Sequence, residues 1–154
     1  MFFVRKAVTA DVPQIYNLLK DYAAKGLMLP RSLSDLYEVI RAFHIASPVD
    51  RPEVAAGVCA LHVVWADLGE IRSLGVAPEY KGAGLGEKLV SACAAEAVGL
   101  GLTKLFVLTY IPEYFKKLEF TGIEKSALPQ KIWADCFKCV NFPDCGEEAL
   151  EKYL

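Results

Sequence analysis

A glycine-rich turn between a strand and a helix constrains the fold of this chain more than any other feature. A strand pattern, Glu-Ile-Arg-Ser-Leu-Gly-Val, covers residues 70–76, and a turn at Pro78 leads into Lys-Gly-Ala-Gly-Leu-Gly at residues 81–86. The Ala- and Leu-rich pattern that follows predicts a helix of roughly 15 residues that ends at Gly99 or Gly101. Glycines let the backbone approach a ligand closely, and the first N–H groups of a helix attract anions. The stretch therefore predicts a loop that binds phosphate.

Other interpretations of these glycines compete with this one. A P-loop requires Lys-Ser/Thr after its last glycine, and neither follows Gly86. A dinucleotide-binding fingerprint requires Gly-x-Gly-x-x-Gly, whereas glycines 82, 84 and 86 alternate and come after a predicted hairpin. A glycine-rich turn that binds no ligand stays open as an alternative.

The remaining apolar patterns predict an α/β order with an antiparallel middle. Strands are expected at residues 2–6, 54–65, 70–76 and 104–109, with the two middle ones paired as a hairpin. Helices are expected after Thr9-Ala10-Asp11, after Ser32 or Ser34, and from Pro112 to about Leu118. The second helix should bury Leu33, Leu36, Ile40 and Phe43, residues 47–53 should form a loop, and at most two strands should follow Thr121.

Length and composition exclude several classes of protein. The 154 residues predict a single domain, 1–154, in which residues 128–154 form a cysteine-containing tail. Hydrophobic residues make up 54% of the chain and the net charge is -2, which excludes disorder and indicates neither nucleic acid nor an anionic membrane as partner. The longest apolar run, residues 54–65, is too short to span a bilayer, and the first residues lack a signal-peptide pattern. We therefore expect a cytoplasmic protein.

The cysteines are unevenly distributed. Three of the five, Cys136, Cys139 and Cys145, lie within the last 19 residues. Their spacing is compatible with a metal site, with redox regulation or with plain thiols, and neither histidine obviously completes a metal site, so no metal is predicted to be required. Cys59 and Cys93 are predicted to be small core residues, and His62, inside an apolar strand, a core histidine rather than a base.

The glycine loop resembles the pyrophosphate loop of the GNAT acyltransferase superfamily, Arg/Gln-x-x-Gly-x-Gly/Ala. Lys81 stands at the first position, and Gly84 and Gly86 match the two small positions. Four stretches are similar to the amino-acid N-acetyltransferase family, that is, N-acetylglutamate synthase: residues 26–32, 57–61, 70–76 and 104–109. Residues 128–139 resemble the short, single-domain bacterial branch of that family.

This resemblance implies a GNAT fold, a mixed and mostly antiparallel central sheet of six or seven strands with helices on both faces. It implies acetyl transfer from acetyl-CoA to the α-amine of glutamate or glutamine, the first step of arginine biosynthesis. The backbone of Leu74, Gly75 and Val76 would hold the pantetheine arm, and the pyrophosphate would lie on Lys81, Gly82, Ala83, Gly84, Leu85 and Gly86. The oligomeric state stays open, with a homodimer among the options.

The resemblance also implies a catalytic role for Glu70. Glu70 lies where GNAT enzymes often place the base that deprotonates the amine, although an ordinary glutamate pKa of ~4.3 would have to be raised by burial. The alternative is a surface carboxylate at a strand end.

The general acid of GNAT enzymes is commonly a tyrosine in the pattern Phe-Tyr-x-x-x-Gly-Phe. Aligned with it, this chain has Phe115 at the tyrosine position and Glu119 at the glycine position. Tyr114 is the first candidate to replace the missing acid and Tyr110 the second, and unassisted loss of the thiolate is a third option. For either tyrosine, ordinary packing is an equal alternative.

Planar arginine side chains match the carboxylates of an acidic amino acid. Arg31 and Arg72 are the candidates, and Arg72 shares side-chain parity with Glu70, so both should project to one face. Lys131 or Lys138 could contribute from the tail. The alternatives are a GNAT enzyme for another small amine or a peptide N-terminus, and a non-catalytic acyl-CoA sensor.

Overall fold

The computed structural model describes residues 1–129 and 146–154 of the chain. In this part, seven strands form one sheet in the order β1-β2-β3-β4-β5-β7-β6. The strands are β1 (Phe2–Lys6), β2 (Phe43–Pro48), β3 (Gly57–Trp65), β4 (Leu68–Val76), β5 (Lys104–Thr109), β6 (Thr121–Ile123) and β7 (Glu148–Tyr153). The helices are α1 (Val12–Ala24), α2 (Leu33–Glu38), α3 (Leu85–Gly99) and α4 (Pro112–Lys117). Among the described strands, only β4 and β5 pair in parallel, which confirms the predicted mixed, mostly antiparallel sheet.

Helices cover both faces of this sheet, as predicted. Successive side chains of a strand point to opposite faces. Along β3, Val58 and Ala60 pack in the same cluster as Val12 of α1, whereas Cys59 and Leu61 pack with Leu89 of α3. The near-continuous apolar character of β3 therefore reflects burial on two sides.

The helix ends follow the local signals in the sequence. Ser32 precedes α2, and its hydroxyl accepts a hydrogen bond from the Asp35 N–H at 3.0 Å. Gly26, just past α1, has φ +72°, a conformation that glycine adopts without steric cost. Helix α3 has 15 residues, as expected from its pattern.

The prediction for residues 43–48 is wrong, whereas residues 49–53 lie outside the strands and helices, as predicted. Phe43 belongs to β2 and not to the buried face of the second helix, and Ser47 also lies in β2 and not in a loop. All six residues of β2 are buried between β1 and β3, so the strand has no alternation that would distinguish it from a helix. The hairpin is confirmed with shifted ends, since β3 begins at Gly57 and β4 at Leu68.

Several predicted features fall on residues 130–145 and lie outside the described part of the chain: Lys131, Cys136, Lys138, Cys139 and Cys145. Among the described residues, no helix has the length and apolar character needed to cross a membrane.

Candidate active site

A cavity of about 410 Å³ lies where β4 and β5 separate. The two strands pair only from Leu68–Lys104 to Ile71–Val107, before β4 ends. The wall consists of residues 27–31, 70–74 and 107–111, with single contributions from Tyr22, Asp35, Phe115 and Glu147.

A β-bulge in β4 lies at this separation. Val58 pairs with Gly75 and Ala60 pairs with Arg72, so Cys59 of β3 stands opposite two residues, Ser73 and Leu74. Ser73 has φ +56°, which is uncommon for a residue other than glycine. Bulges bend a strand and redirect its side chains.

Glu70 and Arg72 both line the cavity, which confirms that they share a face. The Glu70 side chain is buried and accepts a hydrogen bond from Arg72 Nε at 2.5 Å. The alternative of a solvated carboxylate at a strand end is therefore wrong. A guanidinium partner stabilises the ionised carboxylate, the form that can accept a proton.

Arg31 enters the cavity from the segment before α2. Its Nε donates to Asp35 Oδ2 at 3.0 Å and its Nη1 donates to Ser73 Oγ at 3.0 Å. The guanidinium lies over the Phe43 ring, 5.5 Å from the centroid. These contacts come from α2, β4 and β2, so the position of the charge depends on three separate elements.

His62 is not the core histidine that its apolar strand suggests. It is half-buried, pairs across β3 and β4 with Glu70, and its Nε2 lies 3.5 Å from Arg31 Nη2. Since a guanidinium has only donors, Nε2 acts as the acceptor in this contact. Sequence reasoning missed this because Arg31 and His62 are 31 residues apart, and no local pattern encodes their contact.

The glycine loop has the backbone geometry expected of an anion site. Gly82 and Gly84 have φ +87° and +76°, and α3 begins directly after them at Leu85. The N–H groups of the first helical turn have no partners within the helix. Lys81 adds a positive charge, with Nζ 5.7 Å from the centroid of the Tyr22 ring. These residues fit the diphosphate of an acyl-CoA.

The backbone groups of Val76, which the resemblance assigns to a pantetheine site, are hydrogen-bonded to Tyr22. Tyr22 Oη donates to Val76 O at 3.0 Å and accepts from Val76 N–H at 3.1 Å. The Tyr22 ring also lies against Gly75, where a Cβ would be 3.0 Å from Cε2. The sequence contains no local signal for this contact between α1 and β4.

The candidates for the general acid occupy different places. Tyr110 and Phe115 line the cavity, whereas the Tyr114 hydroxyl lies directly against Gly86 at the start of α3. Burial raises the pKa of Tyr114 above its ordinary value. Glu119 has φ +72°, which agrees with its alignment to a glycine position.

Cys59 and Cys93 are buried in the core, as predicted, and are free thiols. Their sulfur atoms lie 3.7 Å apart, and Cys93 Sγ lies 3.4 Å from His44 Nδ1. The hydrogen bond with Cys59 and the proximity of His44 lower the pKa of Cys93 to about 6 despite its burial. The hydrogen bond with Cys93, together with burial, raises the pKa of Cys59 well above its ordinary value.

Asp35 and Ser73 are site residues that sequence reasoning did not select. Asp35 follows Arg31 by four residues, but Arg31 precedes α2, so the spacing rule for ion pairs on a helix does not predict their contact. Ser73 stands within the same strand motif as Glu70 and Arg72, but the alternation of a regular strand directs it to the opposite face.

Comparison with known proteins is consistent with this geometry. The profile of the Acetyltransferase (GNAT) family matches residues 12–120. An amino-acid acetyltransferase of Mycobacterium tuberculosis is 39% identical over 130 residues, which cover 84% of this chain and 74% of the relative.

Two solved structures are also similar over nearly the whole chain. Rv2747 from Mycobacterium tuberculosis, in complex with CoA and NLQ, has a TM-score of 0.85 at 33% identity, with 99% of each chain covered. N-acetylglutamate synthase from Neisseria gonorrhoeae, complexed with coenzyme A and N-acetyl-glutamate, has a TM-score of 0.90 at 28% identity, and this chain spans 35% of its length. On the strength of the profile match and the fold, this chain belongs to the GNAT family of acetyltransferases, which take their acetyl group from acetyl-CoA.

Proposed function

We propose that this acetyltransferase acetylates the α-amine of glutamate or a close relative such as glutamine. The observation that carries the proposal is the Arg31 guanidinium, held by Asp35 and Ser73 in the cavity that also contains the buried Glu70. A planar cation and a buried base in one cavity are what an amino acid requires for binding and for loss of a proton.

The glycine loop supports the donor half of the reaction. Residues 81–86 would hold the pyrophosphate of acetyl-CoA, with Lys81 neutralising part of its charge. Leu74 and Gly75 would guide the pantetheine arm towards the cavity, since they follow the bulge on β4. A long cofactor arm fixed at one end orients its thioester, and such positioning is a large source of rate acceleration.

Glu70 is the proposed general base. An amine attacks only as the neutral species, so the Glu70 carboxylate would take one proton from the ammonium group, directly or through water. The amine nitrogen then forms a bond to the acetyl carbon, the bond from that carbon to sulfur breaks, and the nitrogen gives up its second proton to solvent as the amide forms. The hydrogen bond from Arg72 Nε holds the carboxylate in a fixed orientation in the cavity.

The CoA thiolate takes up a proton to become the free thiol, and we assign the acid that donates it from the positions of two tyrosines. Tyr110 lines the cavity, whereas Tyr114 contacts Gly86 at the start of α3. We propose Tyr114 as the donor, since its hydroxyl lies beside the glycine loop that would hold acetyl-CoA, and Tyr110, which lines the cavity, as the second candidate. The thiolate can also leave unassisted, since a thiol of pKa near ~8.5 is a tolerable leaving group.

The arginines of the cavity and the similar proteins both support an acceptor that carries carboxylates. Arg31 and Arg72 suit a substrate that carries carboxylates, and the Neisseria gonorrhoeae neighbour is complexed with N-acetyl-glutamate. Production of N-acetylglutamate would place the enzyme at the first step of arginine biosynthesis, and we propose that it acts in the cytoplasm.

The experiment that tests the proposal measures release of free thiol from acetyl-CoA in the presence of single amines. The panel contains glutamate, glutamine, aspartate, a short peptide with a free N-terminus and a polyamine. Turnover with glutamate or glutamine supports the proposal. Turnover only with the peptide or the polyamine would assign a different acceptor, and tight CoA binding without any turnover would indicate an acyl-CoA sensor.

A further inference from the structure

Two residues other than glycine have positive φ in the described part of the chain, and only one of them lies in the cavity. Glu119 has φ +72° in an exposed position after α4, and Ser73 has φ +56° in the bulge of β4. Side chains collide with the backbone in this conformation, so a serine there persists only if the surrounding structure favours it.

The bulge changes the direction of the Ser73 side chain. In a regular strand, Ser73 would point away from the face that Glu70 and Arg72 share. Instead, Ser73 lines the same cavity as those two residues, and its Oγ accepts a hydrogen bond from Arg31 Nη1 at 3.0 Å. Glycine would form the bulge without steric cost, but it has no hydroxyl to offer Arg31.

The contacts of Arg31 determine what its guanidinium can still bind. Nε donates to Asp35, Nη1 to Ser73 and Nη2 to His62, one contact on each nitrogen among the described residues. A guanidinium has five N–H donors, so one N–H on each terminal nitrogen is left over. One N–H from each terminal nitrogen of a guanidinium can together bind the two oxygens of a carboxylate.

We propose that Ser73 is a positioning residue that holds Arg31 in the orientation needed to bind a carboxylate of the acceptor, at the cost of backbone strain in β4. The inference rests on the proposed function and adds a specificity-determining residue to it. Ser73 acts through Arg31 and does not take part in proton transfer or in the attack on the thioester.

This role predicts that stability and substrate affinity change in opposite directions. Ser73→Gly relieves the positive φ, so its melting temperature should rise, yet the KM for the amino acid should increase about five- to tenfold because Arg31 loses a charged hydrogen bond. The values of kcat and of the KM for acetyl-CoA should stay within about twofold of wild type. Ser73→Ala should show the same rise in KM without the gain in stability.

Two further variants separate positioning from a general structural effect. Glu119→Gly relieves the same kind of strain at an exposed residue that does not line the cavity, so it should raise the melting temperature and leave every kinetic constant unchanged. In an Arg31→Ala background, Ser73→Gly should cause no further increase in KM, since the two residues act as a unit.

Several outcomes would overturn the inference. These are an unchanged amino-acid KM in Ser73→Gly, an equal change in the KM for acetyl-CoA, and additive effects with Arg31→Ala. Efficient turnover by the wild type of an acceptor without any carboxylate would also overturn it. A failure of the proposed function is distinguished by the wild-type panel alone, in which neither glutamate nor glutamine would be acetylated.

Discussion

The hydroxyl of Tyr22 is hydrogen-bonded to both backbone polar groups of Val76, at 3.0 Å to the carbonyl oxygen and 3.1 Å from the N–H. The neighbouring Ala77 N–H donates to Ala56 O at 2.8 Å, next to β3. Because backbone groups alternate along a strand, those of Val76 point to the side where β4 separates from β5. Tyr22 therefore occupies the backbone groups that an incoming pantetheine arm would use.

Removal of that hydroxyl should strengthen cofactor binding. In Tyr22→Phe the backbone N–H and carbonyl of Val76 have no hydroxyl partner to lose when the cofactor binds. The KM for acetyl-CoA should therefore fall by about three- to tenfold. Tyr16→Phe, also on α1, is the matched control and should not change the KM. Steady-state kinetics with varied acetyl-CoA measure the effect. A higher KM in Tyr22→Phe would show instead that the hydroxyl binds the cofactor.

Glu70→Gln should reduce kcat while leaving cofactor affinity almost unchanged. The amide is similar in shape and cannot accept the ammonium proton, so kcat should fall by about 10²- to 10³-fold. The dissociation constant of acetyl-CoA, measured by calorimetry, should stay within about twofold because Glu70 lies apart from the glycine loop. Glu113→Gln, at an exposed ion pair with Lys116, is the control. Wild-type kcat in Glu70→Gln would exclude Glu70 as the base.

A methyl group at position 86 should be harmful because of Tyr114. The hydroxyl of Tyr114 occupies the space where a Cβ of residue 86 would stand. Gly86→Ala should therefore lower the melting temperature and raise the KM for acetyl-CoA. Gly99→Ala, at the other end of α3, adds a methyl group in open space and should stabilise the helix by up to ~1 kcal/mol. Changes of the same sign in both variants would contradict this interpretation.

Protonation of the Asp11 carboxylate should contribute to the unfolding of the wild type in acid. Burial by itself raises the pKa of Asp11, but hydrogen bonds from Arg5, both at 2.8 Å, and from the Val8 N–H outweigh it and leave the pKa below its ordinary value. As the pH is lowered, the Asp11 carboxylate therefore takes up a proton at a higher pH in the unfolded chain than in the folded chain. The stabilisation that Asp11 provides is present above about pH 4 and is lost as the pH falls through the lower pKa of the folded state.

Asp11→Asn should consequently be less stable than wild type at neutral pH and should lose less stability between about pH 4 and pH 2. Urea unfolding over this range measures both effects, and Asp50→Asn, an exposed carboxylate, is the control. Parallel curves for wild type and Asp11→Asn would show that Asp11 contributes nothing to the acid transition.

The parts of the fold that sequence reasoning predicted correctly are those set by short-range patterns. The glycine loop and α3 depend on neighbouring residues, and the shared face of Glu70 and Arg72 follows from strand parity alone. The buried strand β2 was missed because burial on both faces removes alternation.

The parts of the site that could not be predicted depend on contacts between distant segments. Tyr22 and Val76 are 54 residues apart, and Cys93 and His44 are 49 apart. No local spacing encodes such contacts, and the bulge that turns Ser73 towards Arg31 depends on pairing with β3.

The central claim is that Arg31 binds a carboxylate of the acceptor in the cavity beside Glu70. The most direct test measures the KM for glutamate of the Arg31→Ala variant. The control is Arg51→Ala, which removes an exposed arginine that is hydrogen-bonded to Tyr80. In Arg31→Ala the KM for glutamate should rise at least about tenfold, with kcat and the KM for acetyl-CoA within about threefold of wild type. An unchanged KM for glutamate in an otherwise active Arg31→Ala enzyme would contradict it.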